Sequence, residues 1–255
     1  MNPTQYENVN KTLNILQAKM RETLGEKLLG LYLYGSLVTG DFDQNVSDID
    51  LLAILESSLN DQEFEQLQKM HQDFASEHKE WDNRIEVQYM PKLALKTFKT
   101  QENEIAVISP GEPFHKKIIG KHWLMNWYMV REKGITLFGP DPKTIIEPIS
   151  KEEFIESVKD HAKSWGEWVK DMKSKGAQSY SILTLCRALY AVRNGEQVSK
   201  KQAALWTIKQ LPEWSNLINN AILWREEAKN KQIESEATHA ETERFVNFVR
   251  DLIIN

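Results

Sequence analysis

The chain reads as α+β: a mixed β-sheet with flanking helices comes first, and an all-helical bundle follows. Three observations predict this. Short apolar runs closed by Gly or Pro recur between residues 28 and 90 and alternate with a helical stretch. Punctuation is densest at Gly139-Pro140-Asp141-Pro142. Beyond Ser150, apolar residues recur every three or four positions almost without interruption, the period of amphipathic helices. The expected domains are residues 1–148 and 149–255.

Val9, Leu13, Leu16, Met20 and Leu24 carry the first helix. Asn2 is its expected cap and Pro3 its expected first residue, since proline suits that position. Gly25 ends it. Leu28–Tyr34 reads as a buried strand closed by Gly35, and Ile49–Leu55 as a second after a turn-rich stretch. Asn60-Asp61 opens a helix with Phe64, Leu67, Met70 and Phe74 on one face, and Arg84–Met90 is the third strand. Periodicity is weak from Lys92 to about residue 120, where Pro110-Gly111-Glu112-Pro113 reads as a loop. A helix over Trp123–Lys133 and a short strand over Ile135–Phe138 complete the first half. Ser150 with Glu153 forms a capping-box start, followed by a stripe through Phe154, Val158, Ala162, Trp165, Val169 and Met172. Further helices are expected around Ile182–Val192, after Ser199 and around His239–Ile254.

Composition excludes several classes of function. At 41% hydrophobic and 27% charged residues the chain is an ordinary globular one, not a disordered or repetitive one. A single cysteine, Cys186, rules out an internal disulfide and a thiolate zinc cage, and is expected in the core. The net charge of −5 disfavours nucleic acid and anionic membranes as partners. No signal peptide or membrane span is recognisable, so the cytoplasm is the expected compartment and a monomer the expected state. Among the eight tryptophans, Trp165, Trp206 and Trp224 fall at core spacing. His115-Lys116-Lys117 with Lys121-His122, and the charged stretch Arg225–Glu236, read as solvated surface.

One constellation carries chemistry. Gly35-Ser36 follows the first strand, and Asp48-Ile49-Asp50 enters the second. Alternation puts both aspartates on one face, where they repel unless a cation lies between them. Hard oxygen donors suit Mg²⁺, which takes one or two protein carboxylates and completes its shell with water and phosphate. Gly35 permits close approach of a phosphate, and Ser36 adds a hydroxyl. On the third strand Glu86 and Gln88 point away from Ile85, Val87 and Tyr89. Glu86 is thus a third metal ligand or a general base.

Gly35-Ser36…Asp48-Ile49-Asp50…Glu86 resembles the signature of polymerase-β-type nucleotidyltransferases. The whole chain is similar to the aminoglycoside adenylyltransferases that modify streptomycin and spectinomycin. Phe138-Gly139-Pro140, Leu183-Thr184-Leu185-Cys186-Arg187 and Ser199-Lys200-Lys201…Ala203-Ala204-Leu205-Trp206 match family motifs. The resemblance implies an N-terminal nucleotidyltransferase domain that moves AMP from ATP to a small-molecule hydroxyl and releases pyrophosphate. It implies that Asp48, Asp50 and Glu86 hold Mg²⁺, that Glu86 is the base, and that Gly35, Ser36, Arg187 and Lys200 hold ATP, with Lys201 an alternative to Lys200. Trp168 matches a family tryptophan near the drug. The family's acidic residues at the start of the arginine-bearing helix are missing here, where Gly176-Ala177-Gln178-Ser179-Tyr180 stands. Alternatives are a same-fold enzyme acting on a protein or other acceptor, and a catalytically silent nucleotide-binding module.

Overall fold

The structure is a computed structural model that describes residues 2–226 and 235–255. Most of the charged stretch Arg225–Glu236 therefore lies outside the described residues. The chain divides into two compact units: Met1–Gly40 with Ser47–Pro148, and Asp41–Val46 with Ile149–Asn255.

The first unit is built on a six-stranded mixed sheet. Its strands are β1 (Leu28–Tyr34), β2 (Ile49–Leu55), β3 (Ile85–Pro91), β4 (Asn103–Ser109), β5 (Glu112–Ile119) and β6 (Ile135–Phe138), in the order β5-β4-β3-β2-β1-β6. Among the described residues only β2 and β3 run parallel, and the helix α3 (Asp61–Glu77) makes the long crossover that a parallel pair requires. Asn60 caps α3, its side chain accepting from the Glu63 amide while Glu63 reaches back to the Asn60 amide. The three central strands are buried at nearly every position, so their apolar runs are continuous and not alternating.

Helix α1 spans Glu7–Leu24, with Val9, Leu13, Leu16, Met20 and Leu24 buried. It does not start at Asn2-Pro3 as expected. Asn10 takes hold of the preceding segment instead: its Oδ1 accepts from the Thr4 amide at 3.0 Å and its Nδ2 donates to the Thr4 carbonyl at 2.9 Å. Those bonds tie residues 4–6 into a turn, and the helix begins behind it.

The region from Lys92 to 120, illegible by periodicity, holds the helix α4 (Lys92–Thr97) and the β4–β5 hairpin. Pro110-Gly111 does turn the chain, but Glu112 and Pro113 belong to β5. This is an edge strand, where a residue without an N–H is tolerated. The unit also holds the four-residue helix α2 (Ser36–Thr39) and α5 (Leu124–Lys133), and it closes with α6 (Pro142–Ile145).

The second unit is helical: α7 (Lys151–Lys163), α8 (Trp165–Trp168), α9 (Lys175–Asn194), α10 (Lys200–Gln210), α11 (Ser215–Glu226) and α12 (Glu236–Ile254). The α9 helix is its centre, with ten buried residues that include Ile182, Leu185, Cys186 and Leu189. Ala203, Ile218, Phe245 and Val249 close over it from α10, α11 and α12. The stripe from Phe154 is buried through Val169, but the helix breaks at Ser164. Trp165 and Trp224 are core and Trp206 is half-buried. Burial pushes the Cys186 thiol up to about 12, so it stays a neutral core group. Among the described residues no helix is long and apolar enough to cross a membrane.

Candidate active site

The site grows out of the ends of three neighbouring strands. Register places Tyr34 opposite Asp50, and Asp50 opposite Glu86, so one row crosses β1, β2 and β3. Asp48 lies two residues before Asp50 and on its side of the sheet. One carboxylate oxygen each from Asp48, Asp50 and Glu86 lie within 4.8 Å of one another. Like charges at that separation cost on the order of a few kcal/mol per pair in a partly solvated protein environment. All three side chains are half-buried.

Arg84 fixes where the row begins. Its Nε and Nη2 donate to the Ser47 carbonyl at 3.1 and 2.5 Å, and its own carbonyl accepts from the Ile49 amide at 2.9 Å. Asp48 is thereby clamped on both sides by the residue that precedes β3. The guanidinium also lies over the Trp81 ring, 4.7 Å from its centre.

Gly35 ends β1 with φ +71°, and its carbonyl accepts from the Val38 and Thr39 amides as the chain turns into α2. A Cβ on Gly35 would collide with the Asp50 carboxylate. The close approach of backbone to carboxylate is thus available to glycine alone. Ser36 opens α2, and its Oγ is buried with no hydrogen-bond partner. An orphaned hydroxyl of this kind is costly unless a ligand meets it.

Glu86 does not stand alone. Its Oε1 accepts from the Tyr34 hydroxyl at 3.2 Å and from Gln88 Nε2 at 3.0 Å, while the same Nε2 donates to the Tyr34 oxygen at 2.8 Å. Burial raises the Glu86 carboxyl above the usual range, and the charge of Asp48 raises it further. The bonds from Tyr34 and Gln88 and the charge of Lys117 pull the other way. Lys117, grouped with a solvated cluster by sequence, therefore acts electrostatically on the site. Burial, followed by the charges of Glu86 and Asp50, holds the Tyr34 phenol well above its ordinary value. It is a neutral donor.

The fit to a divalent cation follows from these features. Three hard oxygen donors converge, they repel one another without a positive charge between them, and the Gly35 backbone and Ser36 hydroxyl stand beside them for an anionic ligand.

The remaining sequence candidates belong to the helical unit. Arg187 is half-buried on α9. Lys200 is the first residue of α10, behind the Ser199 cap, and its Nζ lies 4.2 Å from the centre of the Tyr180 ring. Lys201 is exposed, and its amide points to Asp41 Oδ2 at 3.4 Å. Trp168 is 44% exposed, with its ring against Trp165 and His161. Trp165 in turn meets Tyr180 at 5.7 Å, so an aromatic chain joins Trp168 to Lys200. Gln178 is fully buried, and all its bonds stay inside the unit: Nε2 to the Lys173 and Ser235 carbonyls, Oε1 from Thr238 and Thr242.

Residues 16–120 match the family model described as a nucleotidyltransferase domain, and residues 144–251 match the aminoglycoside adenylyltransferase C-terminal domain. The first half thus carries a match to nucleotidyltransferase domains and the second a match to the C-terminal domain of aminoglycoside adenylyltransferases. The chain is an enzyme of the nucleotidyltransferase class. A spectinomycin 9-adenylyltransferase of Staphylococcus aureus is 28% identical over 207 residues, 76% of each chain. An aminoglycoside (3'')(9) adenylyltransferase of Klebsiella pneumoniae is 25% identical over 263 residues, 95% of this chain and 94% of the other. The fold is that of a spectinomycin adenyltransferase from Enterococcus faecialis solved with ATP and spectinomycin. The TM-score is 0.76 at 19% identity, over 96% of this chain and 99% of that one. In this chain Gly35, Ser36, Asp48, Asp50 and Glu86 fall within the first matched region, and Trp168, Arg187 and Lys200 within the second.

Proposed function

We propose that this chain transfers AMP from ATP to a hydroxyl of an aminoglycoside or aminocyclitol, with Mg²⁺ held by Asp48, Asp50 and Glu86. The observation that carries the reading is the convergence of those three carboxylates beside Gly35 and the unpartnered Ser36 hydroxyl. The relatives' names supply the acceptor class.

In the reaction the acceptor oxygen forms a bond to the α-phosphorus, the bond from that phosphorus to the β-bridging oxygen breaks, and pyrophosphate leaves. Bound Mg²⁺ supplies positive charge to the triphosphate and polarises the α-phosphoryl group. Gly35 and Ser36 present backbone N–H groups and a hydroxyl to the distal phosphates. Arg187 and Lys200 are the proposed cationic contacts of the nucleotide. Glu86 takes the proton of the attacking hydroxyl. Trp168 offers an exposed ring face to the acceptor. Consumption of ATP and a single buried thiol suit the cytoplasm as the working compartment, and the chain acts as a monomer.

Mass spectrometry of a panel of aminoglycosides and aminocyclitols, incubated with protein, ATP and Mg²⁺, tests the reading. One compound gaining an adenylyl group, with equimolar pyrophosphate, supports it. A blank panel with no pyrophosphate overturns it. Asp48→Asn and Asp50→Asn should each abolish the gain while their melting temperatures stay at or above that of the wild type.

A further inference from the structure

Two side chains that touch Glu86 lie outside the family signature described above. Tyr34 and Gln88 are 7% and 1% exposed, and each donates to the same oxygen of Glu86. The phenol accepts from Gln88 Nε2 and donates to Glu86 Oε1, and Gln88 Nε2 donates to the same Oε1. The amide orientation is set by the carboxylate, because turning Gln88 over would bring its carbonyl oxygen against a negative charge. Gln88 Oε1 is left buried without a partner. That cost is borne to keep the donor side on Glu86. A strand glutamate with no such partners samples several rotamers, and two buried donors in fixed places remove that freedom.

The geometry points to Tyr34 and Gln88 as positioning residues that hold Glu86 by Oε1 and leave Oε2 as its working oxygen. This rests on the transfer reading above and deepens it. The two hold the carboxylate from different sides. Gln88 follows Glu86 by two positions on β3 and so shares its face, whereas Tyr34 reaches it from β1, two strands away in the same row. Neither needs to touch ATP or acceptor to act.

The test uses Tyr34→Phe, which removes one oxygen, and Gln88→Leu, which keeps the volume. Steady-state kinetics with MgATP and spectinomycin or streptomycin should show kcat falling about tenfold to a hundredfold, with both KM values held within about twofold. In a Glu86→Gln background, Tyr34→Phe should add no further loss, since both changes act through one group. Crystal structures of the single variants should show the Glu86 carboxylate rotated from its wild-type orientation. Melting curves separate misfolding from loss of alignment. Unchanged kcat in both variants, a further loss in the Glu86→Gln background, or an unmoved Glu86 in the variant crystals would overturn the assignment. A wild-type chain that releases no pyrophosphate with either drug counts against the transfer reading, and the crystal structures then decide the orientation of Glu86 by themselves.

Discussion

Replacing Gly35 by alanine perturbs the site in two separable ways. At φ +71° and ψ −144° an L-residue is strained, at about 1–3 kcal/mol for a single residue held in such a region. The new methyl also meets the Asp50 carboxylate head-on, so either that side chain turns out of the row or the backbone retreats from it. Strain alone should lower the melting temperature by about 2–10 °C for a unit of this size. The collision should cut turnover by about a hundredfold or more, because it displaces a group that holds the reacting atoms. Gly25 supplies the control. It too has a positive φ, +54°, but a Cβ there meets nothing within 4 Å. Gly25→Ala should therefore lose stability and keep turnover. Scanning fluorimetry with and without MgATP, together with pyrophosphate release, reads both quantities for both variants. Full turnover in Gly35→Ala would refute the argument that backbone and carboxylate must touch there.

The raised carboxyl of Glu86 makes stability depend on pH. The folded chain binds that proton more tightly than the unfolded one, so the stabilisation is complete below the ordinary glutamate value and lost as pH rises through the raised one. In chelator, melting temperatures between about pH 4 and pH 8 should fall more steeply for wild type than for Glu86→Gln, and added divalent cation should rescue the wild type more; identical slopes would sink this. Gln178→Leu should cost about 2–5 kcal/mol in chemical denaturation, because two backbone carbonyls and two threonine hydroxyls lose a buried partner. A loss below about 1 kcal/mol would show that water or neighbouring groups replace it.

Much of this architecture is legible in the sequence because it is written in local signals. The strands at Leu28, Ile49 and Ile85 are apolar runs bounded by breakers, and the caps at Asn60, Ser150 and Ser199 are all observed. The β4–β5 hairpin escaped because its burial does not alternate cleanly. In β4 the consecutive Ile105, Ala106 and Val107 are buried, and in β5 only Phe114 and Ile119 are. Helix α11 escaped as well, since it is apolar on more than one face, with Leu217, Ile218 and Ala221 buried and Leu223 52% exposed. At the site, spacing and alternation suffice to bring Asp48, Asp50 and Glu86 together. Tyr34 and Arg84 were invisible as site residues because their roles depend on strand register, which no local pattern encodes. Gln88 carried a usable signal: it shares the face of Glu86 at a spacing of two, and a polar residue in an otherwise buried strand asks for a partner.

The border between the two units is crossed by the chain at residues 40–41, 46–47 and 148–149. The connection from Ser36 to Asp48 therefore passes through the helical unit, where Asp41 pairs with Arg225 at 2.7 Å and accepts from the Lys201 amide. A gene fragment ending at Pro148 would strand that acidic residue without either partner, however intact its sheet. Recombination between relatives faces the same constraint: a new helical half has to be exchanged together with Asp41–Val46, so these distant stretches are bound to be inherited as a set.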